Sequence, residues 1–90
     1  MYLGKVIGTV VSTSKDPSLI GSKFLIVQKL TEKLVPTGGT EVAVDSIGAG
    51  TGEIVLISKG SAARYFSMGK KESPIDAAIV GIVDSVETGD

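Results

Sequence analysis

The sequence predicts a small, mainly β protein: a five-stranded barrel carrying one short helix. Three observations carry that expectation. Apolar residues make up 42% of the chain and fall in short runs rich in Val and Ile, the residue types that fit a pleated surface. Turn chemistry separates the runs, at Asp16-Pro17 and Gly21, at Pro36 and Gly38-Gly39, and at Gly69 and Pro74. Ninety residues make one domain at most, so residues 1–90 are read as a single unit.

Taken in order, strands are expected near residues 2–12, 24–31, 40–46, 53–59 and 77–85. The stretch "VPTGGTE" between the second and third reads as a hairpin connection. One helix is expected at about 61–68. Ser61 caps it, Ala62 and Ala63 favour it, and Gly69 ends it in a left-handed conformation. Five short strands and one helix match an OB-like barrel in size, although small SH3-like barrels also fit.

The pattern within the strands is informative. A barrel strand buries one face and exposes the other, which normally gives alternation. Here Ile54 and Leu56 oppose Val55 and Ile57, Ile79 and Val83 oppose Val80 and Ile82, and Phe24 and Ile26 oppose Leu25 and Val27. Both faces are apolar. One set fills the barrel; the other is expected to pack on a second subunit or beneath the helix, because a lone domain rarely exposes so much aliphatic surface.

Composition narrows the chemistry. The chain has no Cys and no His, which removes disulfides, thiolate metal sites, the commonest general base and the commonest transition-metal ligand. No stretch shows the spaced oxygen ligands of an EF-hand loop. No cofactor is expected. Nine Lys and Arg stand against ten Asp and Glu, without clustering, which argues against a nucleic-acid or anionic-membrane surface. The start, "MYLGKVIGTVV", lacks a basic region followed by a continuous apolar one. A soluble cytoplasmic protein is expected, and a chain this short gains stability by oligomerising.

The stretch "DSIGAGTGEIVLISKG" sharpens the question. Gly48, Gly50 and Gly52 alternate, yet a dinucleotide fingerprint would place Gly where Glu53 stands. The residues after Glu53 are strand-like, so no helix amino terminus is available for a phosphate. Glycine carries an entropic cost, so three in alternation imply repeated positive φ or close approach of another backbone. The second suits a symmetric assembly in which copies of one loop meet near an axis. Positive φ is expected at Gly50 in particular.

Residues 44–64, "VDSIGAGTGEIVLISKGSAAR", and residues 74–86, "PIDAAIVGIVDSV", resemble the EutN/CcmL family of microcompartment shell vertex proteins. The opening "GKVIGTVVSTSKDPSLIGSKFLIVQ" is similar as well, so the likeness covers nearly the whole chain. It implies an OB-like barrel with a short helix, five copies of which form a homopentamer closing the five-fold corners of a polyhedral shell. Hexamer-forming shell proteins would make the facets and be its partners. No enzyme activity, nucleic acid or membrane is implied, and the location would be a microcompartment shell in the cytoplasm.

Carried onto this sequence, the resemblance places Ser46, Ile47, Gly48, Ala49, Gly50, Thr51, Gly52 and Glu53 around a narrow pore on the axis. A tight closure is expected there more than a transport channel. Ser61 and Arg64 belong to the turn into the helix; Arg64 reads equally as an inter-subunit contact or as a solvated side chain. Asp76 is expected to satisfy backbone amides before the last strand, with an interface role as the alternative. A side chain at Gly81 would meet a neighbouring strand or subunit. The Thr51-Gly52-Glu53 ending of the loop and the end of the chain at Asp90 lean toward a catabolic organelle over a carboxysome.

Two rival functions compete with this one. A catalyst would have to rest on groups such as Asp45 and Glu53, which flank the glycine loop. An OB-type module for single-stranded nucleic acid or a small ligand would need stacking aromatics, and the chain has only Tyr2, Phe24, Tyr65 and Phe66.

Overall fold

The strands curl into a closed barrel around the alternate apolar residues that they turn inward. The computed structural model describes residues 1–13, 16–19, 21–63 and 75–89. Five strands run β1 (Tyr2–Val10), β2 (Lys23–Leu30), β3 (Pro36–Asp45), β4 (Ile54–Lys59) and β5 (Ala77–Ile82). They close in the order β1-β2-β3-β5-β4. Only the β3–β5 pair is parallel, with Val44 opposite Ala78 and Asp45 opposite Ile79. A closed, five-stranded sheet of this kind is the expected OB-like architecture. A 3-10 turn, Pro17–Leu19, lies between β1 and β2.

The barrel interior is filled by Val6, Leu25, Val27, Ala43, Ala49, Val55, Ile57, Ala77 and Ile79. The inward members of the two-faced strands are therefore Leu25, Val27, Val55, Ile57 and Ile79, each essentially inaccessible. Burying one such aliphatic side chain contributes about 1.5–3 kcal/mol.

The outer face splits in two. At one side Val44, Ala63, Ile75 and Ala78 form a second buried cluster, with Leu19 and Phe24 packed on it. That part of the exterior is covered by the chain itself. A helical turn at 60–63 supplies Ala63; the rest of the expected helix lies outside the described residues. Elsewhere among the described residues apolar side chains reach the surface in part. Ile26 and Val42 face each other across β2 and β3, with Val42 50% and nearby Ile7 48% exposed. Leu3 faces Leu56 across β1 and β4, and Ile54 lies one pair further along the same face.

The β2–β3 connection differs from expectation. "VPTGGTE" is not the turn: β3 already begins at Pro36. The reversal occurs over residues 31–35, where Thr31 N–H donates to the Val35 carbonyl at 2.8 Å. The Thr31 hydroxyl accepts from the backbone of Lys33 and Val35, an alternative to Gly and Pro chemistry that composition hides. Gly38 and Gly39 keep their positive φ, 67° and 88°, but use it inside the strand. The pairing shifts register between Gln28 and Leu30, and the Gln28 side-chain amide donates to the Thr37 and Gly39 carbonyls.

Candidate functional site

The loop from Ser46 to Glu53 joins β3 to β4 and is tied down from within. Asp45, the last residue of β3, is buried, its side chain only 1% exposed. Its carboxylate accepts from the Ile47 amide at 3.1 Å and the Ala49 amide at 2.9 Å. Lys23, paired with Asp45 at the start of β2, brings its ammonium to 3.6 Å from the same carboxylate. It also donates to the Ala49 carbonyl at 3.2 Å. A desolvated carboxylate persists only with such partners.

Farther along, Glu53 accepts from the Gly50 amide at 2.6 Å, while its own amide donates to the Gly50 carbonyl at 3.1 Å. Gly52 N–H then donates to the Val6 carbonyl, and Val6 N–H to the Glu53 carbonyl. The loop thus ends as an extension of the β1–β4 ladder. Asp45 and Glu53 are turn-capping groups here, each engaged with backbone amides.

Side-chain directions divide the loop. Ala49 is 1% exposed and belongs to the barrel core, so its methyl does not line an opening. Ser46, Ile47, Gly48, Thr51 and Gly52 are exposed or lie in the exposed turn, and Gly50 and Glu53 are half-buried. Positive φ occurs at Gly48 (88°) and Gly52 (94°). Gly50 does not share it, contrary to expectation: the Glu53 side chain holds its amide in ordinary backbone geometry. A Cβ at Gly50 would rest 3.5 Å from Glu53 Oε1, an ordinary contact.

The remaining expected residues lie apart. Ser61 is exposed within the first helical turn, which begins one residue earlier at Gly60. Arg64 lies outside the described residues, as do Tyr65 and Phe66. The Asp76 side chain reaches the Lys59 ammonium at 3.8 Å; it is the Asp76 backbone carbonyl that receives a loop amide, from Gly60 at 2.8 Å. Among the described residues, the contact seen for the Asp76 carboxylate is this ion pair. At Gly81 an added Cβ would sit 3.9 Å from Leu56 Cβ, an ordinary contact, so nothing among the described residues demands glycine there.

A polar cluster that spacing does not reveal joins β1, β3 and β4. Tyr2 donates its hydroxyl proton to Glu41 at 2.5 Å, and Lys59 pairs with the other Glu41 oxygen. Lys29 stands 5.0 Å over the Tyr2 ring, a cation–π contact. Burial opposes ionisation of Glu41, but hydrogen bonds from Lys59 and Tyr2 and the charges of Lys59 and Lys29 prevail, so its carboxyl lies below its ordinary range. The Lys59 ammonium is held above its ordinary value by its hydrogen bond to Glu41. Burial and then the Glu41 hydrogen bond push the Tyr2 phenol well up. These partners are 18 and 39 residues apart in sequence; only the closed barrel joins them.

Tyr2 and Phe24 are half-buried and pack against the two buried clusters. A groove lined by Leu19, Phe24, Val42, Val44, Ile75, Asp76 and Ala77 encloses about 130 Å3, small beside the roughly 300–1,000 Å3 of ordinary ligand pockets.

Fold and loop together define a small OB-type barrel whose distinctive element is a self-held glycine loop. The chain belongs to the EutN/CcmL family: the family described as "Ethanolamine utilisation protein EutN/carboxysome" matches residues 1–84. The bacterial microcompartment shell vertex protein GrpN of Rhodospirillum rubrum is 68% identical over 88 residues, covering 98% of each chain. PduN of Salmonella typhimurium, described in the same words, is 53% identical over 96% of this chain and 98% of its own. The carboxysome shell vertex protein CcmL of Synechocystis is 54% identical over 96% of this chain and 85% of its own. The solved structure described as the GrpN pentameric microcompartment shell protein superposes with a TM-score of 0.87 at 65% identity, covering 98% and 99% of the two chains.

Proposed function

We propose that this chain is a structural shell protein whose homopentamers close the five-fold vertices of a bacterial microcompartment in the cytoplasm. The observation that carries the reading is the near full-length likeness to GrpN in both sequence and structure. The molecule's surface agrees with it. A cyclic ring needs two different patches on each subunit. The exposed Val42 and Ile7, and the half-buried row of Leu3, Leu56 and Ile54 across β1 and β4, are the surfaces offered for them. In such a ring the exposed rim of the glycine loop, Ser46 to Gly48 with Thr51 and Gly52, surrounds the axis, and Gly48 and Gly52 let backbones crowd.

Hexamer-forming shell proteins are the partners at the vertex edges, since flat six-fold facets close only around five-fold units. The chain serves as scaffold, without catalysis of its own. The compartment is of the non-carboxysome, catabolic kind. That assignment rests on GrpN, because PduN and the carboxysome protein are about equally similar to this chain. Deleting the gene tests the role in the cell: elongated or unclosed compartments are expected, whereas normal closed ones in the deletion strain contradict it.

A further inference from the structure

Two mechanisms would order a loop destined for a symmetry axis. Neighbouring copies could shape it during assembly, or the chain could hold it beforehand. A loop of the first kind leaves its amides unpaired in the single chain and pays its ordering cost on association. This loop differs. The amides of Ile47 and Ala49 are held by Asp45 and that of Gly50 by Glu53. The Gly52 amide is held by the Val6 carbonyl. The Ala49 methyl is sunk in the barrel core.

We infer that the glycine loop takes its shape before assembly, with Asp45 as its principal positioning residue and Lys23 and Glu53 as supports. For the opening at a vertex, this rests on the ring reading above. Its consequence there is a rim of preset shape: docking of the copies sets how far each loop stands from the axis, while each barrel sets the conformation of its own loop.

The groups that hold the loop and the groups that face outward are different. The Asp45 side chain is buried, whereas Ser46, Ile47 and Thr51 are exposed. Ile47 and Ala49 are two residues apart, so one carboxylate clamps both sides of the positive-φ turn at Gly48. The Lys23 ammonium closes the arrangement by spanning the carboxylate and the Ala49 carbonyl. Removing the carboxylate leaves the buried Ala49 amide without an acceptor where water does not substitute readily, and frees the part-buried Ile47 amide.

Asp45→Asn is the sharpest perturbation. It preserves shape and one acceptor oxygen, but turns an N–H2 toward one of the two amides. Amide-resolved hydrogen exchange on the full chain reads the result, with native mass recorded on the same samples. Exchange at Ile47 and Ala49 is expected to accelerate about tenfold or more, the scale of one lost charge-assisted hydrogen bond. Exchange at the Leu25, Val27 and Ile57 amides is expected to accelerate no more than that at Ile47 and Ala49, because core amides report only the loss of global stability.

Unchanged protection at Ile47 and Ala49 in the variant overturns the inference. A second pair of variants keeps the test alive if Asp45→Asn does not fold. Glu53→Ala is expected to expose the Gly50 amide, and Glu53→Gln, which retains the acceptor oxygen, to restore its protection. Equal protection of Gly50 in both overturns the inference. The ring reading fails separately. A single chain with a protected loop sinks the ring and supports the preset loop; a five-chain ring whose loop is indifferent to residues 45 and 53 does the reverse.

Discussion

Gly4 lies in β1, between Lys29 of β2 and Val55 of β4. It is the position where this barrel tolerates a side chain least among its described glycines. A Cβ built there falls 2.2 Å from Val27 Cγ1 and 3.2 Å from the Gln28 carbonyl oxygen. Carbon atoms in contact sit at about 3.5–4.0 Å, so the first overlap exceeds an ångström. Val27 cannot move aside cheaply: it is 0% exposed and β-branched, with a stiff χ1. The carbonyl cannot move without loosening the β1–β2 ladder. Overpacking of this kind costs about 1–3 kcal/mol, from which the reduced freedom of the unfolded chain returns about 0.4–1 kcal/mol.

Gly4→Ala is therefore expected to lose about 1–2 kcal/mol net. With a urea slope of about 1–3 kcal/mol per molar, the unfolding midpoint falls by about 1 M. Chain concentration must be matched, because an oligomer's stability depends on it. The clash is with one identifiable methyl, so a Val27→Ala background should relieve it. A double-mutant cycle is expected to show coupling of about 1 kcal/mol or more. An unchanged midpoint for Gly4→Ala, or a cost unaffected by Val27→Ala, would refute the steric argument.

Three glycines of the loop should respond differently to alanine. Gly48→Ala and Gly52→Ala force left-handed backbone on a side chain and should each cost about 1–2 kcal/mol; Gly50→Ala should be close to neutral for folding, and an equal loss at all three in denaturant titrations would count against the loop conformation described. Acid stability should depend on Glu41. Its carboxyl is held below the ordinary 4.5 by its partners, so the stability it supplies is complete above that value and disappears as pH falls through the lowered one. Glu41→Gln should flatten the acid limb of a stability–pH curve below about pH 4.5 relative to wild type, and parallel limbs would contradict the assignment. Lys59 and Tyr2, both raised, should withdraw their contribution only above their ordinary values, near 10, on the alkaline side.

Much of the barrel could be read from residue types alone. Inward residues such as Leu25, Val27, Val55 and Ile57 occupy strands bounded by visible turn chemistry, and the two-faced pattern was a correct sign of a second layer. Part of that layer is internal, at Phe24, Val44 and Ala78; part is exposed, at Val42. The β2–β3 reversal misled because glycine marks positive φ without saying whether a turn or a bulge uses it. Thr31, which builds the turn, carries no comparable signal. The same limit applies to Gly50, whose conformation depends on the Glu53 side chain. Asp45 was visible as a loop-flanking carboxylate, but its pairing with Lys23 and its burial arise from β2–β3 register. Gly4 and the Tyr2–Glu41–Lys59 cluster depend wholly on closure, which brings together residues that no local spacing relates.

The central claim is a ring of five. Native mass spectrometry of the purified chain, backed by light scattering at matched concentration, tests it directly. One dominant species of five 9.2 kDa chains is the predicted result. A stable single chain at concentrations well above those in a cell, or a closed ring of another number, would contradict it.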